Sequence, residues 1–133
     1  MITAEVAGIN RCVWNLAATA PHRARALPAT MTRARLDLLR EADALVMEGL
    51  RHHDLYDRVW QCPTVLVPVG FDDSEDELVV LRPVHSQRAM TARPVQLPPA
   101  LIAQIRDALL ALPGVGAVAL DLTSKPPGTI EWE

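Results

Sequence analysis

Apolar positions recur at three- and four-residue spacing in three stretches of this chain, and the period shortens between them. Val6, Ile9, Val13 and Leu16 keep helical spacing, with Thr3 placed to cap and Pro21 beyond the end. That spacing predicts a helix over residues 3–19. Residues 20–31 (APHRARALPATM) are rich in proline, arginine and alanine and read as a connector. A second helix is predicted from about Arg33 to His52, with Thr32 as N-cap. Leu38, Leu39, Ala42, Leu45, Val46, Gly49 and Leu50 form its apolar stripe, and Arg35, Asp37, Glu41 and Glu48 lie mostly off it.

After Tyr56 the pattern changes. Thr64–Val69 is short and rich in valine, so it reads as a strand. Gly70–Asp76 is an acidic turn, and Glu77–Val84 (ELVVLRPV) is a second strand, which predicts an antiparallel hairpin. Pro68 and Pro83 each lack a ladder donor and belong at edges or strand ends. Residues 86–96 read as a loop. Leu97-Pro98-Pro99 opens a third helix, buried through Leu101, Ile102, Ile105, Ala108, Leu109 and Leu112, and Pro113-Gly114 stops it. Val115–Thr123 is a final strand, with Val118, Leu120 and Leu122 on one face. This order predicts an α+β fold of two layers, with helices packed on one face of a small antiparallel sheet.

Length and composition narrow the function classes. The chain has 133 residues, half of them apolar, which suits one compact domain and excludes a disordered tail. A net charge of −3 argues against a nucleic-acid partner. No apolar run reaches the roughly 18 residues of a membrane span, and the N-terminus lacks a signal-peptide pattern, so a cytoplasmic protein is expected. Cys12 and Cys62 have no metal-site spacing and are expected as reduced thiols. His52 and His53 point about 100° apart on a helix and read as a solvated helix end rather than a metal pair. Among thirteen basic residues, Lys125 is the single lysine.

That lysine opens the last distinctive segment, Ser124-Lys125-Pro126-Pro127-Gly128-Thr129-Ile130-Glu131-Trp132-Glu133. Two prolines stiffen the chain behind Lys125, and Gly128 lets it turn. If residues 129–133 are extended, Ile130 and Trp132 face one way, and Thr129, Glu131 and Glu133 the other. Two readings stand on the residues alone. One is a tail pinned by Trp132, with Lys125 in a surface ion pair. The other is a ligand site, with an ammonium for phosphate and carboxylates for hydroxyl or NH groups.

The tail resembles the C-terminus of glutamine-hydrolysing GMP synthase, typically SKPPATIEWE. Four upstream blocks resemble the same family in the same order. They are Leu36–Ala44 (LDLLREADA), Leu55–Gln61 (LYDRVWQ), Leu81–Ser86 (LRPVHS) with Met90-Thr91-Ala92, and Leu112–Val115 with Asp121–Pro127. The resemblance covers residues 32–133, and residues 1–31 are set apart as an N-terminal helix and connector unlike the family.

The resemblance implies a C-terminal domain that dimerises and helps to bind XMP. It places substrate-binding roles on Gln61, Lys125 and Glu131, and no catalytic or metal-binding residue. The chemistry fits: an ammonium for a phosphate, an amide for a base edge, a carboxylate for ribose hydroxyls or NH groups. The chain has no phosphate loop, so it is expected to bind no cofactor alone. ATP and Mg would enter only through a partner ATP-pyrophosphatase subunit, beside a glutaminase. The expected function is a stand-alone GMP synthase C-terminal-like domain, a homodimer that binds XMP or a related purine monophosphate in GMP biosynthesis. The alternative is a degenerate paralogue that keeps the fold for assembly or regulation without ligand. Arg88 stands where the family usually has Asp, Arg93-Pro94 where bacterial members often have Asp-Trp, and the acidic turn at 70–76 replaces a Gly-rich hairpin.

Overall fold

A computed structural model describes residues 5–17 and 23–132. In chain order the elements are β1 (Val13–Asn15), β2 (Ala24–Ala26), α1 (Arg33–His52), β3 (Thr64–Val67), β4 (Val69–Phe71), β5 (Glu77–Leu81), β6 (Val84–His85), β7 (Arg93–Pro94), α2 (Pro99–Leu110) and β8 (Val115–Asp121). The main sheet has four strands in the order β1-β8-β5-β3. The hairpin pairing β3 with β5 is antiparallel, as the pattern predicts, with Thr64 opposite Leu81 and Val67 opposite Leu78. The central pair β5 and β8 is parallel instead, because the chain returns through α2 before re-entering the sheet. The fold class is α+β, with a mostly antiparallel sheet.

Strand alternation divides the core. Val79, Leu81, Val118 and Leu120 point to the face covered by α1 and α2, where they meet Val46, Leu50, Leu101, Ile105 and Leu109. Leu78, Val80, Ala117 and Ala119 point to the opposite face, which β4 and Trp132 partly cover. Both faces of β8 are therefore buried, except at Gly116. Helix α1 begins where the cap predicts, with the Thr32 hydroxyl accepting from the Arg35 N–H. Proline opens α2, again as its sequence predicts.

The N-terminal segment corrects the helix expected over 3–19. Its described residues hold strand β1, paired antiparallel with β8 from Val13 opposite Asp121 to Asn15 opposite Ala119. Gly8 has a φ of +82°, a conformation outside a helix, and Val6, Ile9 and Val13 are exposed rather than gathered into a buried stripe. Thr3 and Pro21, the expected start and stop signals, lie outside the described residues. The connector carries β2, which pairs with β4. The loop at 86–96 contains β7, paired with β6.

Candidate functional site

The C-terminal segment is built around a buried cation. Arg82 follows β5 directly, and neither its side chain nor that of Asp121 at the end of β8 has any exposed surface. Arg82 Nη1 lies 3.0 Å from Asp121 Oδ2. Its Nε donates to the Ile130 carbonyl at 2.8 Å and Nη1 to the Thr123 carbonyl at 2.9 Å. Nη2 donates to the Thr129 carbonyl. Arg11 approaches the same carboxylate at 2.7 Å and donates to the Thr129 hydroxyl and the Glu131 carbonyl. Burial draws the Arg82 pKa down, the Asp121 charge opposes this, and the Arg11 charge adds to it. A guanidinium fits here because its several donors meet several fixed acceptors, which removes most of the penalty of burying a charge.

This clamp fixes residues 123–131, where two of the three site residues predicted from sequence lie. Lys125 pairs through its backbone with Ala92, the two N–H groups donating at 2.8 and 3.1 Å. Its Nζ is half-buried and donates to the Ala89 carbonyl at 2.7 Å, so it sits in a backbone contact rather than a surface ion pair. The peptide bonds Lys125-Pro126 and Pro126-Pro127 are both cis. Glu131 is exposed, and its neighbour Ile130 is buried against Val84 and Ala92. Gln61 is exposed and its backbone pairs with Val84. The segments bearing Gln61, Lys125 and Glu131 thus all converge on the small β6–β7 ribbon.

The extended tail is not found over its described part. Residues 126–132 form turns and bends. Ile130 packs with Val84 and Ala92, while Trp132 reaches a different cluster under the main sheet. Arg11 stacks over the Trp132 ring at 4.7 Å. The Thr129 hydroxyl is occupied within the tail, donating to the Glu131 carbonyl at 2.6 Å. Glu133 lies outside the described residues.

Arg82, Asp121 and Arg11 are the supports of the tail that pattern reading missed. A signal was present: VVLRPV and VALDLT each set one charge against an apolar strand, where an isolated charge is costly without a partner. Elsewhere, His53 Nε2 meets the Gln104 side chain at 3.0 Å, and among the described residues no group of His, Cys, Asp and Glu has a metal-binding arrangement. Cys12 and Cys62 are free thiols. No helix among the described residues is long and apolar enough to cross a membrane.

Comparison with known proteins gives this site a family. The model of the GMP synthase C terminal domain matches residues 48–132. A GMP synthase [glutamine-hydrolyzing] of Leifsonia xyli is 47% identical to this chain over 111 residues, covering 77% of this chain and 22% of its own length, and a probable GMP synthase [glutamine-hydrolyzing] of Leptospira interrogans is similar to this chain as well. The Leptospira protein is 46% identical over 97 residues, covering 73% of this chain and 16% of its own length. The GMP synthase [glutamine-hydrolyzing] of Thermobifida fusca is 40% identical over 129 residues, covering 91% of this chain and 24% of its own. That last match takes in part of residues 1–31. The chain therefore spans about a quarter or less of the length of these relatives. On the match of its C-terminal two thirds, with Arg82, Asp121 and the tail they hold inside the matched region, the chain belongs to the GMP synthase C-terminal domain family.

Proposed function

We propose that the chain binds XMP, or a related purine monophosphate, and works as a homodimer in GMP synthesis beside a subunit that carries the ATP-pyrophosphatase chemistry. The observation that carries this reading is the convergence of the segments holding Gln61, Lys125 and Glu131 on one ribbon, fixed by the buried Arg82. Lys125 Nζ spends one N–H on the Ala89 carbonyl and keeps two for an anion. Gln61 can donate to and accept from a base edge, and Glu131 can accept from hydroxyl or NH groups. Dimer formation draws support from edge strand β1 and the end of its neighbour β8, where Trp14 on β1 is 53% and Leu122 just past β8 is 43% exposed beside an apolar cleft.

A thermal-shift series with XMP, GMP and IMP tests the ligand. A purine monophosphate at about 100 times its dissociation constant stabilises the fold by about 2.7 kcal/mol. A folded chain that shows no shift with any of the three supports the alternative, an assembly module without ligand.

A further inference from the structure

We propose that the cleft formed by the loop between β6 and β7 is a second anion site, one that takes phosphoryl groups, free or carried on a nucleotide, between Arg88 and Arg93. The cleft has a volume of about 570 Å³ and is lined entirely by residues 85–93. Its charge is one-sided. No acidic residue occurs anywhere between Glu77 and Asp107, although the chain as a whole carries a net −3. Arg11, Arg25, Arg35, Arg40, Arg82 and Arg106 each sit within ion-pair distance of a carboxylate. The exposed Arg88 and Arg93 side chains have no such partner among the described residues, and they share the cleft with His85 and the Thr91 side of the loop.

The loop is also held in shape before any ligand arrives. His85 and Arg93 are paired across the two strands, so the ends of the loop are fixed together. Buried Ser86 accepts from the Ala89 N–H at 2.9 Å and donates to the Thr91 carbonyl at 2.6 Å. Ala89 is held at a φ of +58°, a left-handed conformation rare for a residue with a Cβ, and its carbonyl receives the Lys125 ammonium. Two guanidiniums with an ammonium behind the loop favour a ligand with two or more negative charges. Guanidinium forks match the oxygens of a phosphoryl group. Preorganisation lowers the cost of binding such a ligand. The site uses neither Gln61 nor Glu131 and shares only Lys125, behind the loop, with the XMP reading.

The test is an amide NMR titration of the full chain at fixed ionic strength, with pyrophosphate, inorganic phosphate and XMP as separate probes. Saturable shifts confined to residues 85–93 are expected with pyrophosphate; with XMP, the same loop shifts together with Gln61, Lys125 and Glu131 if the phosphoryl group is read on a nucleotide. The double variant Arg88→Ser/Arg93→Ser should weaken this binding at least about tenfold, with the rest of the spectrum unchanged. Arg58→Ser, an exposed arginine outside the cleft, should leave it intact. Gln61→Ala should lose XMP affinity and keep the pyrophosphate response, which separates failure of one reading from failure of the other. The proposal is overturned if none of the three probes gives saturable shifts in the loop, if the double variant binds as the wild type does, or if Arg58→Ser weakens binding equally.

Discussion

Arg82 joins the fold to the site through a single side chain. Methionine at this position would keep much of the volume and remove every donor. Asp121 would then keep Arg11 as its cation and the Thr123 N–H as a donor, and the carbonyls of Thr123, Thr129 and Ile130 would lose their Arg82 partner. Breaking a buried pair from one side costs about 3–5 kcal/mol. Urea denaturation of Arg82→Met should show a loss of this order, and amides 123–131 should exchange faster with solvent. An unchanged midpoint would mean that the clamp contributes little. Cys62 gives a second residue-level prediction. Burial, with a smaller push from the Asp43 charge, raises its thiol from 9.0 to about 12, against the opposing N–H of Arg82. The unfolded thiol ionises first, so stability present below pH 9.0 drains away as pH rises toward about 12. Between about pH 8 and about pH 10 the wild type should therefore lose stability relative to Cys62→Ala. Parallel urea curves for the two proteins at both pH values would refute this.

The long elements were readable because their cause is local. The α1 stripe, its Thr32 cap and the proline start of α2 are written within one or two helical turns. So was the antiparallel pairing of β3 with β5, although strand β4 lies between them and takes Gly70 and Phe71 out of the expected acidic turn. The elements misread are those fixed by distant partners. β1 exists because Trp14 pairs with Leu120 at the far end of the chain, and local spacing of Val6, Ile9, Val13 and Leu16 cannot register that pairing. The parallel β5–β8 contact is likewise set by the return through α2. β4 depends on a close approach at Gly70, where an added Cβ would lie 2.4 Å from the Ser74 carbonyl oxygen. Gly70→Ala should cost about 1–3 kcal/mol, since backbone cannot yield as a flexible side chain does. Thermal unfolding checks this, and a wild-type midpoint would show that the turn at 71–76 shifts freely.

At the scale of the molecule, the sheet separates two jobs. One face is filled by α1 and α2 and supplies the main core. The other receives Trp132, so the tail that carries Lys125 and Glu131 is fastened both under the sheet and by Arg82. The three candidate site residues come from family resemblance, while the convergence of their segments on the β6–β7 ribbon required the fold, because the pairings Gln61–Val84 and Ala92–Lys125 cross long stretches of sequence. The exposed apolar strip around Trp14 and Leu122 predicts association, and sedimentation should give twice the mass of 14.6 kDa. A monomer at high concentration would remove the dimer from the account. The central claim concerns the ligand, and calorimetric titration of XMP into the wild type and into Lys125→Ala tests it most directly. The account predicts saturable binding to the wild type and its loss in a variant that stays folded. Equal affinity in the two proteins, or no binding by the folded wild type, would contradict it.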